Sequence, residues 1–381
     1  MIIVAILILI LVFTAISRYI AYRLHQGLVS FFPKIRFWHI LISVSLITLF
    51  LVLIFLKSML PFSNDVKYVL SWISGYCMGI LLYLLLFTLL ADVIFAVLRL
   101  LKLKFTRHRL FKGFMTLGVL FLTLLTCVLG AVNARQIDIA SYDIRLQDKK
   151  DISDLNIVML SDLHLGSIGS EGRLQNIVDE INALKPDLVC IAGDFFDTDF
   201  TSIRNPSNAI KTLKKLNSTY GTYASLGNHD AGRSYEQMTE FLQKADITLL
   251  DDSHTIIDNR LVLVGRLDGS PIGGYKGQKR KDFSKVYNKR KTDLPVIVLD
   301  HNPKNIEKYN SDVDLILCGH THKGQVFPCN LITNAIYEVD YGYYQKDKSS
   351  PQVIVSSGVG YWGMPFRVGS DSELVSIRFK P

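Results

Sequence analysis

The sequence predicts two architectures in one chain, a set of all-α transmembrane helices followed by an α/β domain. Three observations predict it. Four long apolar runs fill the first third of the 381 residues. Beyond them, short apolar strands alternate with segments of helical period. The carboxyl ends of those strands carry His, Asp and Asn, where an ordinary turn needs none of them.

The apolar runs cover residues 1–17, 37–56, 68–98 and 113–132. A helix crosses the bilayer core with about 20 apolar residues. The last three runs meet that length and the first is at its short limit. A cleaved signal peptide carries positive charge before its apolar core. Here Arg18 and Arg23 come after it, so the first helix is expected to stay. Arg18, Arg23, Lys34 and Arg36 follow the first run, and Arg99, Lys102, Lys104, Arg107, Arg109 and Lys112 follow the third. The loop between the second and third runs has only Lys57 and Lys67. Lys and Arg collect on the cytoplasmic side. Four spans over residues 1–132 then place the N-terminus and everything after Val132 outside. The small-residue spacing Gly75–Gly79 lets helices approach closely but is common by chance. Asp92 is expected simply to reach the membrane interface.

The charge is split. Residues 1–150 hold 16 Lys and Arg against 5 Asp and Glu, which leaves 26 against 29 in the remainder. The basic balance belongs to the membrane part. The soluble part lacks the basic excess of a nucleic-acid binder, so no nucleic-acid partner is expected. Cys77 and Cys127 lie in apolar runs, Cys190 and Cys318 in predicted buried strands, and Cys329 has no assigned role. There is no C-x-x-C pair and no disulfide framework.

Residues 133–151 read as a polar linker, and residues 152–381 as the second domain. "LNIVMLSD" is a strand. In "EGRLQNIVDEINALKP", Leu174, Ile177, Val178, Ile181 and Leu184 recur at helical spacing and Pro186 stops the helix. "DLVCIAGD" is a strand, "NAIKTLKKLN" a helix, "GTYASLGNHD" a strand and "SYEQMTEFLQKA" a helix. "RLVLVGRLD", "LPVIVLDHN", "DLILCGHTH" and "QVIVSSGVG" are further strands. This alternation argues an α/β sheet with covered faces. The Lys-rich segment 273–293 reads as a solvated loop and helix, with a contact to anionic headgroups or wall polymer as the sharper alternative.

Strand ends supply Asp162 and His164, then Asp194 and Asp197, then Asn228, His229 and Asp230, then His301, and last His320 and His322. Five of the nine histidines sit there. Ligands of open α/β sheets bind outside the carboxyl ends of strands. One shared metal site accounts for all five fragments, where ordinary turns need five coincidences. His254 fits none of them and is expected to be structural.

The order D-x-H, G-D-x-x-D, G-N-H-D, H, G-H-x-H resembles the calcineurin-like metallophosphoesterase superfamily, from about Leu155 to the C-terminus. "GQVFP" and "SSGVGYWGMPFRVG" resemble its membrane-attached bacterial branch. The resemblance implies two packed β-sheets flanked by helices, an αββα fold. It implies one divalent metal on Asp162, His164, Asp194 and His322. It implies a second on Asp194, Asn228, His301 and His320, with Asp194 shared. Asp197 and Asp230 would support the ligands from behind, Asp230 standing where many members have Glu. His229 would act at the leaving-group oxygen.

The chemistry agrees with that set. A carboxylate can bridge two cations about 3.5–4 Å apart and make hydroxide accessible near neutral pH. Mixed N/O ligands suit manganese, iron or zinc, with manganese favoured. Glycines before Asp194, Asn228 and His320 let the backbone approach the metals.

The expected function is therefore a membrane-anchored, dinuclear-metal phosphoesterase, cleaving a mono- or diester of the cell envelope through a metal-bridging hydroxide, with its catalytic domain outside. Two other readings stand beside it. One is a cytoplasmic-facing pyrophosphohydrolase of nucleotide-linked lipid precursors, similar to UDP-diacylglucosamine hydrolases. The other is a non-catalytic metal-binding sensor.

Overall fold

The computed structural model describes residues 2–56, 63–146, 152, 154–287 and 293–380. Lys57 of the second loop, residues 147–151 of the expected linker and residues 288–292 of the Lys-rich segment lie outside the described residues. The chain divides into two units, Met1–Ala131 and Val132–Pro381.

The first unit is helical: α1 (Ile2–Leu28), α2 (Phe37–Leu56), α3 (Asn64–Leu100) and α4 (Arg109–Asn133). Asp65–Leu100 and Arg109–Asn133 are long and apolar enough to cross a membrane, and α2 adds a shorter apolar stretch, Phe37–Leu53. α1 runs past the expected residue 17, because Arg is a good helix former and no proline interrupts it before Leu28. A small core joins the helices through Ile20, Leu24, Val44, Leu51, Leu81, Leu84 and Val119. Phe114, Phe121, Leu124 and Leu129 of α4 face outward, as lipid-facing residues do. Asp92 is paired, accepting from Tyr19 Oη at 2.7 Å and lying 2.6 Å from Arg23 Nη2.

The second unit opens with β1 (Ile137–Arg145) and β2 (Asn156–Leu160), then α5 (Ser170–Ala183), β3 (Leu188–Ala192), α6 (Pro206–Leu213), β4 (Thr222–Ser225) and α7 (Tyr235–Lys244). β5 (Ile247–Leu249), β6 (Ser253–Ile257), β7 (Leu261–Gly265), α8 (Phe283–Val286), β8 (Val296–Leu299) and β9 (Leu315–Cys318) follow. α9 (Cys329–Ile336), β10 (Gly342–Tyr344), β11 (Gln352–Val355) and β12 (Ser372–Lys380) complete it. The described strands form two six-stranded sheets, β1-β12-β2-β3-β4-β5 and β10-β11-β9-β8-β7-β6.

Strand parity builds the layers. Ile157, Met159, Leu188 and Cys190 of the first sheet meet Leu263, Ile297, Leu299, Leu315 and Leu317 of the second. The alternate residues Val158, Leu160, Val189 and Ile191 pack under α5, α6 and α7. On the far side, Val264, Val298, Ile316 and Cys318 are covered by Val286, Tyr287, Ile306 and Tyr309. Strands buried on both faces read as unbroken apolar runs, which is why the sequence announces them. The layers are the expected αββα arrangement.

The polar linker expected over 133–151 is corrected in part. Ile137–Arg145 forms β1, paired in parallel with β12 from Ile137↔Ser372 to Arg145↔Lys380. Most of its side chains are not buried, so it reads as polar. The Lys-rich segment is also not wholly solvated. Arg280 reaches Asp300 Oδ1 at 2.9 Å, and Tyr309 Oη donates to Asp300 Oδ2 at 2.7 Å, bracing the turn before His301. His254 Nδ1 lies 2.7 Å from Val286 O, in keeping with a structural residue.

Candidate metal centre

β2, β3 and β4 run parallel in one sheet, and β7, β8, β9 and β11 in the other. Their carboxyl ends therefore converge, and every expected strand-end residue is delivered there. The pairing continues beyond the strands. Asp162 N–H donates to Gly193 O at 3.1 Å, His164 N–H to Asp194 O at 3.1 Å and Gly319 N–H to His301 O at 2.9 Å.

Two groups of side chains close on one another. Asp162, His164 and His322 bring their ligand atoms within 4.8 Å, and so do Asp194, His301 and His320. His164 Nε2 is 3.2 Å from His322 Nε2, and His322 Nε2 is 3.4 Å from Asp162 Oδ1. Asp194 Oδ2 stands between the groups, 3.1 Å from His301 Nε2 and 3.8 Å from His164 Nε2. Asn228 Oδ1 lies 2.9 Å from His320 Nδ1. A third combination, His164, Asp197 and His229, is equally close. His229 is held through Nδ1, 2.5 Å from Thr198 Oγ1, while its backbone N–H donates to Asp194 Oδ1 at 2.9 Å.

The backbone is bent to make this possible. Asp162, His164, Asp194, His320 and His322 all have φ between +48° and +74°. Left-handed conformations in non-glycine residues cost roughly 1–3 kcal/mol each and cluster at functional sites. Two glycines permit the crowding. Gly193 has φ +76°, and a Cβ on Gly227 would lie 2.1 Å from Asp194 Oδ1.

Burial sets the protonation. It pushes Asp162 up to about 6, and His164 and His320 down to about 3. His322 is also driven well down, by burial first and then by His164 and Arg367. Burial works against the charge on Asp194 as well, yet His301 and His164 hold it below the usual carboxylate range. His301 is the converse: burial lowers it, but Asp194 and Asp162 outweigh that and raise it well above normal. Neutral imidazoles at three positions leave lone pairs for a metal.

The fit to metals rests on a buried atom without a hydrogen bond. His301 Nδ1 donates to Ala192 O at 2.8 Å, which turns Nε2 toward the site. Among the described residues, Nε2 has only the ion-pair approach to Asp194 at 3.1 Å, and His164 Nδ1 has no hydrogen bond. A cation would satisfy such atoms, so this donor set fits divalent metals.

Asp230 accepts from the N–H groups of Phe195, Phe196 and Gly227 at 2.8–3.2 Å, clamping two ligand turns together. Burial, then Asp194, pushes it up to about 7. Tyr275 Oη donates to Gly227 O at 2.8 Å. No sequence motif singles out Arg367, which is buried and donates to His322 O at 3.2 Å, Gly358 O at 2.9 Å and Gly360 O. Its one local signal is a lone cation in "MPFRVG".

Comparison with known proteins agrees with the geometry. Residues 155–324 match the calcineurin-like phosphoesterase family. The chain is 35 % identical over 240 residues to an uncharacterized metallophosphoesterase of Helicobacter pylori, taking in 61 % of this chain and 62 % of that one. It is 31 % identical over 333 residues to a "transmembrane protein with metallophosphoesterase domain" of Danio rerio, 82 % of this chain and 74 % of that one. An uncharacterized metallophosphoesterase of Aquifex aeolicus is 31 % identical over 64 % of this chain and 91 % of its own. The chain belongs to the calcineurin-like phosphoesterase family.

Proposed function

We propose that the protein is a membrane-anchored phosphoesterase that uses two divalent metals to hydrolyse a mono- or diester of the cell envelope. The observation that carries this reading is the position of Asp194: its Oδ2 lies 3.1 Å from His301 Nε2 and 3.8 Å from His164 Nε2, between two close groups of buried donors. Asp162, His164, Asp194 and His322 hold the first ion. Asp194, Asn228, His301 and His320 hold the second. The N/O donors favour manganese, with iron or zinc as alternatives. Bound there, the metals supply an acidified water and offset phosphoryl charge.

The chain's own residues do the rest. His229 stands beside this set, and Thr198 fixes its ring through Nδ1. With the Thr198 hydroxyl donating, the ring proton sits on Nε2, where it can pass to a leaving oxygen. Asp197 and Asp230 position these groups from behind. The basic loops after the first and third helices favour four spans and an external catalytic unit.

Full-length protein in lipid nanodiscs, loaded with manganese, is expected to hydrolyse p-nitrophenyl phosphate or bis-p-nitrophenyl phosphate, and to stop when chelated. No turnover of either with metal bound refutes the reading. A reporter active only outside, fused after Arg135, is expected to be on. A signal from a cytoplasm-only reporter reverses the orientation.

A further inference from the structure

The rim of the site is apolar and uncovered. α9 begins five residues after the His320–His322 turn ends at Gly324, and none of its residues is buried. Leu331, Ile332 and Ile336 are 60 %, 57 % and 54 % exposed. Its polar side is tethered, Thr333 Oγ1 donating to Asp340 Oδ2 at 2.8 Å. Phe327 and Trp362 are also exposed, at 42 % and 53 %. Their loops are joined: Trp362 N–H donates to Gln325 Oε1 at 2.8 Å, and Gln325 Nε2 to Trp362 O at 3.0 Å. The Trp362 ring lies 5.8 Å from that of His229. A soluble surface rarely leaves large apolar groups contiguous without a use.

The chain also says what lies nearby. α4 is apolar enough to cross a membrane and ends at Asn133. Asn133 Nδ2 donates to Ser370 O and Asp371 Oδ1, both at 3.0 Å. That loop pairs in turn with the rim, Phe327 N–H donating to Val368 O at 2.7 Å. Asn133 belongs to the catalytic unit, so within that unit the last residue of α4 is bonded to the loop that pairs with the Phe327 segment. Two cations flank the histidine turn, Lys323 over the Tyr341 ring at 4.0 Å and Lys304 over Tyr337 at 5.4 Å. Apolar side chains with flanking cations are the composition of an interfacial lipid contact.

We propose that α9, Phe327 and Trp362 seat in the bilayer surface, and that the phosphoester cleaved is borne by a membrane amphiphile whose headgroup reaches His229 from that surface. The substrate half rests on the phosphoesterase reading above; the contact half does not.

The test uses the full chain with Trp38→Phe and Trp72→Phe, which leaves Trp362 as its single tryptophan. It is reconstituted into phosphatidylcholine/phosphatidylglycerol vesicles, with or without bromine on the upper acyl carbons. Trp362 emission is expected to fall to about half in the brominated vesicles, as for a side chain 5–10 Å into the headgroup boundary. Unchanged emission overturns the contact, and a blue-shifted but unquenched spectrum does so too, by showing protein over the patch. With dodecyl and ethyl p-nitrophenyl phosphate as probes, kcat/KM is expected to favour the dodecyl ester about tenfold, since a few buried methylenes suffice. Leu331→Glu with Ile332→Glu is expected to bring that ratio near one. Equal turnover of the two esters overturns the amphiphile. A quenched Trp362 in a chain that cleaves no aryl ester upholds the contact and refutes the phosphoesterase reading.

Discussion

His301 Nε2 lies 3.1 Å from Asp194 Oδ2, both side chains are buried, and each favours the charge on the other. The nitrogen cannot turn away, because Nδ1 on the other side of the ring is committed to Ala192 O. A proton on Nε2 makes an ion pair with the carboxylate, and without that proton the nitrogen's lone pair faces the carboxylate's own. Either that proton or a metal cation can satisfy both atoms, and a metal that binds takes the proton's place. The same logic extends through Asp194 to His164, 3.8 Å away.

His229 can be separated from the proposed ligands. His229→Ala is expected to keep its metals, since Asn228 and the other donors remain. General-acid catalysis is worth about 10²–10⁴ in rate, and the loss should be largest for alkyl phosphates. An aryl phosphate, whose leaving group needs little protonation, should be spared. Equal loss for both, with metal retained, assigns His229 to phosphoryl charge or positioning. Loss of metal makes it a ligand, as the His164–Asp197–His229 grouping permits.

Arg367 is expected to act through His322. Arg367→Lys keeps the charge but not the fork that serves three carbonyls. Leaving buried carbonyls unpaired costs about 1–3 kcal/mol each. The variant should melt earlier without metal and bind metal more weakly. A full-length variant with unchanged metal affinity and melting temperature would show that His322 is held by its own turn.

Metal binding should release protons. His301, raised well above its usual value by Asp194 and Asp162, keeps its proton at neutral pH in the metal-free protein. A ligating Nε2 must lose it. Asp162, raised to about 6 chiefly by burial, takes up a proton as pH falls through that value. Affinity should therefore drop with falling pH, and more steeply below about 6. Titration calorimetry in buffers of different ionisation enthalpy measures the protons directly. No release at neutral pH would mean that His301 does not ligate through Nε2.

Much of this centre was legible in the sequence. Asp162, His164, Asp194, His301, His320 and His322 follow apolar strands buried on both faces, so a strong local pattern points to those positions, and the more polar β4 leads to Asn228. What escaped depends on distant partners. β1 looks polar because it borders the sheet, and it pairs with β12 at the other end of the chain. Arg280 hides in a Lys-rich run and is identified only by Asp300. Arg367 gains its meaning from carbonyls of the His322 and Gly358–Gly360 turns, which no local period reveals. The exposed face of α9 is likewise invisible, because Leu331, Ile332 and Ile336 among Asn and Thr read as an ordinary half-buried helix.

The central claim is that Asp194 is shared by two cations, and the metal count tests it most directly. Full-length protein is stripped with chelator, reloaded with manganese, dialysed and subjected to elemental analysis beside Asp194→Ala. The parent is expected to hold about two ions per chain, the number a bridging carboxylate serves, and the variant one or none. Fewer than one ion per chain in the parent, or an undiminished count in Asp194→Ala, would contradict it.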